Sequence, residues 1–223
     1  PRATTSASRP ASSPSGSAAP VATTSGRCRG SATPTPTRFV PTSRSSHTRT
    51  ALGEEEGESV GSSGRRWVID PIDGTESFTH GVSLYSNLLY LEDEHGPCLG
   101  VINVPALGEM VWAGRGLGCF FNGEPCSVSD RTSMDNALLS TSAFEYWDSE
   151  MLERVRASGL HMRTWGDGYG YMLVATGRAE AMVDPAINFW DIAPCLVIIP
   201  EAGGTITTVT GEPGIELASC VAT

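Results

Sequence analysis

The sequence predicts a domain that mixes strands and helices, of the α/β or α+β class, over residues 51–223. Three observations carry that reading. From Ala51 onward short apolar runs alternate with Gly and Pro, the first half of the stretch pairs into β-like hairpins, and the second half places apolar residues at helical spacing. No internal repeat is visible.

Taken in order, Arg66–Ile69 is a short, continuously apolar strand ending at Asp70, where Pro71 and Gly74 turn the backbone. Ser83–Glu92 and Cys98–Val104 are two β-like runs joined by the polar turn Asp93–Gly96, which reads as a hairpin. Met110–Ala113 and Gly118–Phe121 form a second pair, followed by the turn Asn122–Gly123. Ser149–Ala157, Tyr169–Thr176 and Ile192–Ala202 read as helices, with Gly177 and Gly203 placed to end two of them in left-handed caps. Ala179–Val183 and Thr205–Val209 return to strand, and Ser219–Thr223 reads as a further one.

Of the 223 residues 39% are hydrophobic and 18% charged, which supports a packed core and excludes a fully disordered or collagen-like chain. The densest apolar run, Cys195–Ile199, is far short of the roughly 20 residues a bilayer requires, so no membrane partner is predicted. Six cysteines, at 28, 98, 119, 126, 195 and 220, show neither Cys-x-x-Cys nor His neighbours at ligand spacing. That pattern predicts no zinc site and no disulfide framework, and it fits a reduced, cytoplasmic setting. The four histidines lie in polar contexts and are expected at the surface.

The net charge of −10 hides two unlike segments. Residues 1–50 contain seven Arg and no acid, for +7, whereas residues 51–223 carry −17. Within the first 50 positions 21 are Ser or Thr and seven are Pro, a composition that predicts disorder because it cannot bury enough apolar surface to offset its ordering entropy. Its Arg and Ser bias is also that of a transit peptide. With Phe39 as its only aromatic and no Lys, it predicts no nucleic-acid partner.

The chemistry-bearing residues are Gly53–Glu55, Asp70–Thr75, and Trp190–Asp191 leading into Glu201–Gly204. This is an oxygen-only set, suited to a hard divalent cation such as Mg²⁺. Asp70 and Asp73 flank a tight turn, so two carboxylates and the Ile72 carbonyl converge on one spot. Two ions sharing Asp70 would clamp the attacking and leaving oxygens of an in-line displacement. Gly74 and Thr75 add backbone N–H groups at a helix start, a cradle for a phosphate oxygen. Asp191 also reads as a helix N-cap, a role compatible with ligation.

Trp67–Thr75, Trp190–Ala193 and Glu201–Gly204 resemble the two signatures of the inositol monophosphatase-like family of Mg²⁺-dependent phosphomonoesterases, over about Leu52 to Thr223. The resemblance implies a layered αβαβα fold of alternating helices and sheets. It also implies two or three Mg²⁺ ions held by Glu54, Asp70, the Ile72 carbonyl, Asp73 and Asp191, with Glu54 and Thr75 catalytic. Thr75 would orient the attacking water, Gly74 and Thr75 would contact phosphate, and Asp184 would face the alcohol portion. Trp165–Gly177 resembles the histidinol-phosphatase branch, where Asp167 suits a cationic leaving group better than a polyol would. The substrate implied is a small phosphorylated metabolite, histidinol phosphate, with an inositol or broader sugar phosphate as the alternative. A homodimer is implied in the same way.

Members of the family begin with two long helices and an acid that pairs with the threonine of the first signature. Here no Asp or Glu precedes Glu54. The N-terminal helical layer is therefore expected to be replaced by residues 1–50, and residues 51–223 to form a C-terminally truncated phosphatase domain. A frame shift upstream of Ala51 would account for both the basic composition and the lost acid, leaving an inactive fragment that keeps its metal ligands. Sequencing the coding region tests this: a second frame spelling an acidic segment near Thr33–Thr37 is expected, and a frame without one contradicts it.

Overall fold

The computed structural model describes residues 50–53, 57–59, 61–213 and 219–223. Eight strands form a large sheet: β1 (Thr50–Gly53), β2 (Gly57–Ser59), β3 (Arg66–Asp73), β4 (Ser86–Asp93), β5 (Gly96–Val104), β6 (Glu109–Gly114), β7 (Gly118–Phe121) and β8 (Glu124–Cys126). Their order is β2-β1-β3-β4-β5-β6-β7-β8, antiparallel throughout except for β1 beside β3. From β3 onward each strand pairs with the next in sequence, β3 and β4 across a connection that contains a short helix and the later strands across short turns. Asn122 and Gly123, both at positive φ, make the β7–β8 turn whose twist matches its flanking strands.

Five shorter strands form a second sheet: β9 (Leu138–Ser140), β10 (His161–Arg163), β11 (Ala181–Asp184), β12 (Ile206–Thr207) and β13 (Cys220–Ala222), in the order β10-β9-β11-β13-β12. The helices are α1 (Thr75–Thr79), α2 (Ser149–Ser158), α3 (Asp167–Ala175), α4 (Phe189–Ile192) and α5 (Cys195–Glu201). α3 and α5 pack against both sheets. Their Met172, Val174, Ile198 and Ile199 meet Val68, Leu88, Tyr90 and Ile102 of the large sheet in one buried cluster. α2 packs a separate cluster, placing Met151, Leu152 and Val155 on Leu139, Trp147 and Val183. The described layers thus run sheet, helix, sheet, helix, in keeping with the layered αβαβα arrangement.

Three departures from the expected elements have local causes. The helix expected over Ile192–Ala202 is two, because Pro194 has no N–H and interrupts the backbone ladder while keeping helical dihedrals. β3 does not stop at Asp70 but runs to Asp73 through a bulge. β9 and β10, three residues each, are too short to show a period in sequence. The two glycine caps do form: Gly177 and Gly203 have φ of 67° and 88°, and Arg178 N to Leu173 O (2.8 Å) and Gly204 N to Ile199 O (2.9 Å) close the Schellman bonds. Among the described residues no helix is long and apolar enough to cross a membrane.

α5 reaches the sheet because β5 offers it no side chain at Gly100. A Cβ there would lie 2.2 Å from the Pro194 carbonyl oxygen, which accepts from the α5 amides Val197 and Ile198. Gly100→Ala is therefore expected to destabilise the fold by about 3 kcal/mol through overpacking against backbone. Urea unfolding of the two proteins measures this, and an unchanged midpoint would contradict the packing.

Candidate metal centre

The site begins with a problem of strand geometry. Side chains alternate faces along a strand, so residues three apart, such as Asp70 and Asp73, would point to opposite sides. The bulge between them in the β3–β4 register cancels that alternation. Pro71, with no N–H for the ladder, sits inside it; Ile72 N turns inward to Asp70 Oδ1 at 3.0 Å, and Asn87 Nδ2 holds the Pro71 carbonyl at 2.7 Å. Both carboxylates consequently face the core side of the sheet, 2% and 5% exposed, although Asp70 shares its row with Leu88 and Ile102.

Asp191 completes the group from α4. Its Oδ2 accepts from Asn188 N (3.0 Å) and Asn188 Nδ2 (3.2 Å), so the N-cap is Asn188 and Asp191 is the acid of a capping box. One carboxylate oxygen from each of Asp70, Asp73 and Asp191 lies within 4.8 Å of the others. Hard oxygen donors at that separation fit a divalent cation such as Mg²⁺ or Ca²⁺. The Asp73 pKa agrees: burial, then the charges of Asp167 and Asp70, drive it well above the usual carboxylate range, against the pull of its own hydrogen bonds. A cation removes that conflict.

Asp73 also ties the large sheet to α3. Its Oδ2 accepts from Ser86 Oγ at 2.5 Å and from Gly168 N, at the start of α3, at 2.7 Å. Gly168 must be glycine for this approach, since a Cβ would stand 2.4 Å from Ser86 Oγ and 2.9 Å from Asp73 Oδ2. Asp167 precedes it in the left-handed region at φ 55°, with its N–H bonded to Ser142 Oγ at 2.9 Å. Its carboxylate reaches the Gly74 turn: a Cβ on Gly74 would be 2.8 Å from Asp167 Oδ2.

Asp184 lies 3% exposed at the end of β11. Ser142 N (2.8 Å), Ser142 Oγ (3.1 Å), Tyr171 Oη (2.9 Å) and Thr141 Oγ1 (3.5 Å) all donate to it. Thr75 and Gly74 line the same cleft, Gly74 at φ 74° and Thr75 Oγ1 donating to the Ile72 carbonyl at 3.1 Å. The cleft encloses about 750 Å³ and also takes in Asp70, Asp73, Asp167, Asp184 and Asp191. Glu54 lies outside the described residues. His80, His95 and His161 are exposed, as expected, and His47 lies outside the described residues.

The positioning groups Ser86, Ser142, Tyr171 and Asn188 escaped the sequence reading. Asn188 carried a signal, as an N-cap residue three positions before Asp191. Glu201 anchors the turn between β6 and β7, its two oxygens accepting from Gly116 N (2.7 Å) and Gly118 N (2.8 Å).

These features coincide with a known family. The chain matches the inositol monophosphatase family over residues 38–222 and belongs to it. It is 44% identical over 168 residues to a histidinol-phosphatase of Chlorobaculum parvum, covering 74% of this chain and 65% of that one. It is 37% identical over 182 residues to the histidinol-phosphatase of Mycobacterium tuberculosis, covering 77% and 70% respectively. A third relative, 39% identical over 150 residues, is the fructose-1,6-bisphosphatase/inositol-1-monophosphatase of Thermotoga maritima, with coverage of 66% and 58%. The chain thus spans 58–70% of the length of these three relatives. Among solved structures it resembles the Thermotoga maritima IMPase, with a TM-score of 0.71 at 32% identity over 78% of this chain and 68% of that one.

Asp167 supplies a pH test. Burial, then the charges of Asp184 and Asp191, raise its pKa from 3.8 to about 6. The native state therefore keeps a proton that the unfolded state has released across that interval, and stability falls as pH rises through it. In chelator, the stability of Asp167→Asn relative to the parent is expected to grow from pH 4 to pH 6 by on the order of 2 kcal/mol and then level off. A difference flat across those pH values, by urea unfolding, would contradict the raised pKa.

Proposed function

We propose that this chain is a Mg²⁺-dependent phosphomonoesterase that hydrolyses histidinol phosphate to histidinol and phosphate. The observation that carries the reading is the convergence of Asp70, Asp73 and Asp191 within 4.8 Å in a cleft of metabolite size. Two relatives named histidinol-phosphatase, at 44% and 37% identity, support the substrate. Asp70, the Ile72 carbonyl, Asp73, Asp191 and Glu54 would hold two or three ions. When bound, Mg²⁺ neutralises phosphate charge and lowers the pKa of water.

The remaining roles fall to groups of the chain. Thr75 Oγ1 orients the attacking water together with Glu54, and the Gly74 and Thr75 amides receive phosphate oxygens. Asp167 and Asp184 bound the side of the cleft that takes the alcohol portion. Ser86 and Gly168 keep Asp73 in place, which spares the site a reorganisation during reaction. A preference for inositol or other sugar phosphates is the second reading, favoured by the Thermotoga maritima relative at 39% identity.

Phosphate release from histidinol phosphate and from inositol 1-phosphate, in Mg²⁺, separates the readings. Faster turnover of histidinol phosphate is expected, and a preference for inositol 1-phosphate overturns the substrate assignment. Asp70→Asn and Asp191→Asn should each lower turnover at least a hundredfold, as removing a charged metal ligand demands. Chelation should abolish it reversibly. Mg²⁺ binding with no phosphate release from either ester would instead favour an inactive chain.

A further inference from the structure

The loop of residues 141–148, between β9 and α2, contributes Ser142, Ala143, Glu145 and Tyr146 to the cleft. Its base is clamped. Trp147, 8% exposed, donates from Nε1 to Thr141 Oγ1 at 2.9 Å and from its backbone N to the Phe144 carbonyl at 3.0 Å, while Ser142 is tied to Asp184. A loop fixed in this way presents its tip with little ordering cost when a ligand arrives. At that tip Glu145 and Tyr146 are exposed yet face the cleft.

Among the described residues, the charged side chains that line the cleft are all acids. Asp70, Asp73 and Asp191 are taken by the metal reading, and Asp184 already accepts from four donors. Glu76, Glu145 and Asp167 remain, and among the described residues no Lys, Arg or His lines the cleft. A polyol would desolvate these carboxylates without neutralising them. A cation neutralises them as it binds, and the face of Tyr146 adds an attraction specific to ammonium or planar cationic groups.

We infer that Glu145 and Tyr146, together with Asp167, form the subsite that reads the leaving group and selects phosphate monoesters whose alcohol portion carries an ammonium or a protonated heteroaromatic ring. The inference rests on the phosphatase reading of the same cleft and names a substrate class wider than one compound. Glu145 and Tyr146 act on selection between esters.

The test compares 2-aminoethyl phosphate with 2-hydroxyethyl phosphate, esters of nearly equal size that differ in charge. With the full chain in Mg²⁺, the ratio of kcat/KM values is expected to favour the amino ester about tenfold, the factor set by 1.4 kcal/mol. Glu145→Gln and Tyr146→Leu should each reduce that ratio by at least about threefold, and added salt should reduce it in the parent. Equal turnover of the two esters, or a ratio unchanged in both variants, overturns the inference while leaving the phosphatase reading intact. If neither ester nor p-nitrophenyl phosphate is hydrolysed, the phosphatase reading fails. Calorimetric binding of L-histidinol then decides the subsite: binding weakened in Glu145→Gln supports it, and binding absent or unaltered overturns it.

Discussion

Two like charges held on the core side of a β-sheet are the constraint around which this molecule is arranged. Asp70 and Asp73 occupy positions where their neighbours in the sheet are Leu88, Ile102 and Ser86. An ionised carboxylate in such surroundings is costly unless hydrogen bonds or an opposite charge meet it. The fold supplies the first in part, through Ile72 N, Ser86 Oγ and Gly168 N. For Asp73, burial and the neighbouring charges of Asp167 and Asp70 outweigh these bonds and hold its pKa well above the usual carboxylate range.

That constraint explains why the large sheet and α3 cannot be considered apart. Asp73, from β3, receives an amide from the first turn of α3, and the residue before that amide is held in the left-handed region by Ser142. Ser142 in turn hangs on Asp184, a buried acid of the small sheet that also takes the Tyr171 hydroxyl. A continuous chain of hydrogen bonds therefore links the bulge of one sheet to the last strand residue of a parallel strand in the other. Displacing any member leaves a buried acceptor short of a donor, which costs more than the bond it made. The same chain fixes the geometry of the cleft before any ligand enters.

Much of this was legible in the sequence, and the reasons for the rest are physical. Both hairpins of the first half and the glycine caps at Gly177 and Gly203 followed from local rules, since β-like runs on either side of a short turn mark a hairpin and left-handed caps restrict residue type strongly. The convergence of Asp70 and Asp73 was legible from Pro71 and Gly74, although the device proved to be a bulge inside a continuing strand. The break at Pro194 was available but outweighed by the apolar period on either side. Three-residue strands such as β9 and β10 carry no period at all. Nor could the surroundings of Asp184 be read, because its donors lie 13 to 43 residues away in the chain. Glu54 remains a reading from sequence and family.

The most direct measurement is the thermal unfolding temperature of the full chain as Mg²⁺ is raised from zero, with Asp70→Asn in parallel. A cation held by the native carboxylates stabilises the folded state by mass action, so Tm is expected to climb steadily with Mg²⁺ in the parent and to respond far less in the variant. A Tm indifferent to Mg²⁺, or one that climbs equally in both proteins, would contradict a metal centre built on these residues.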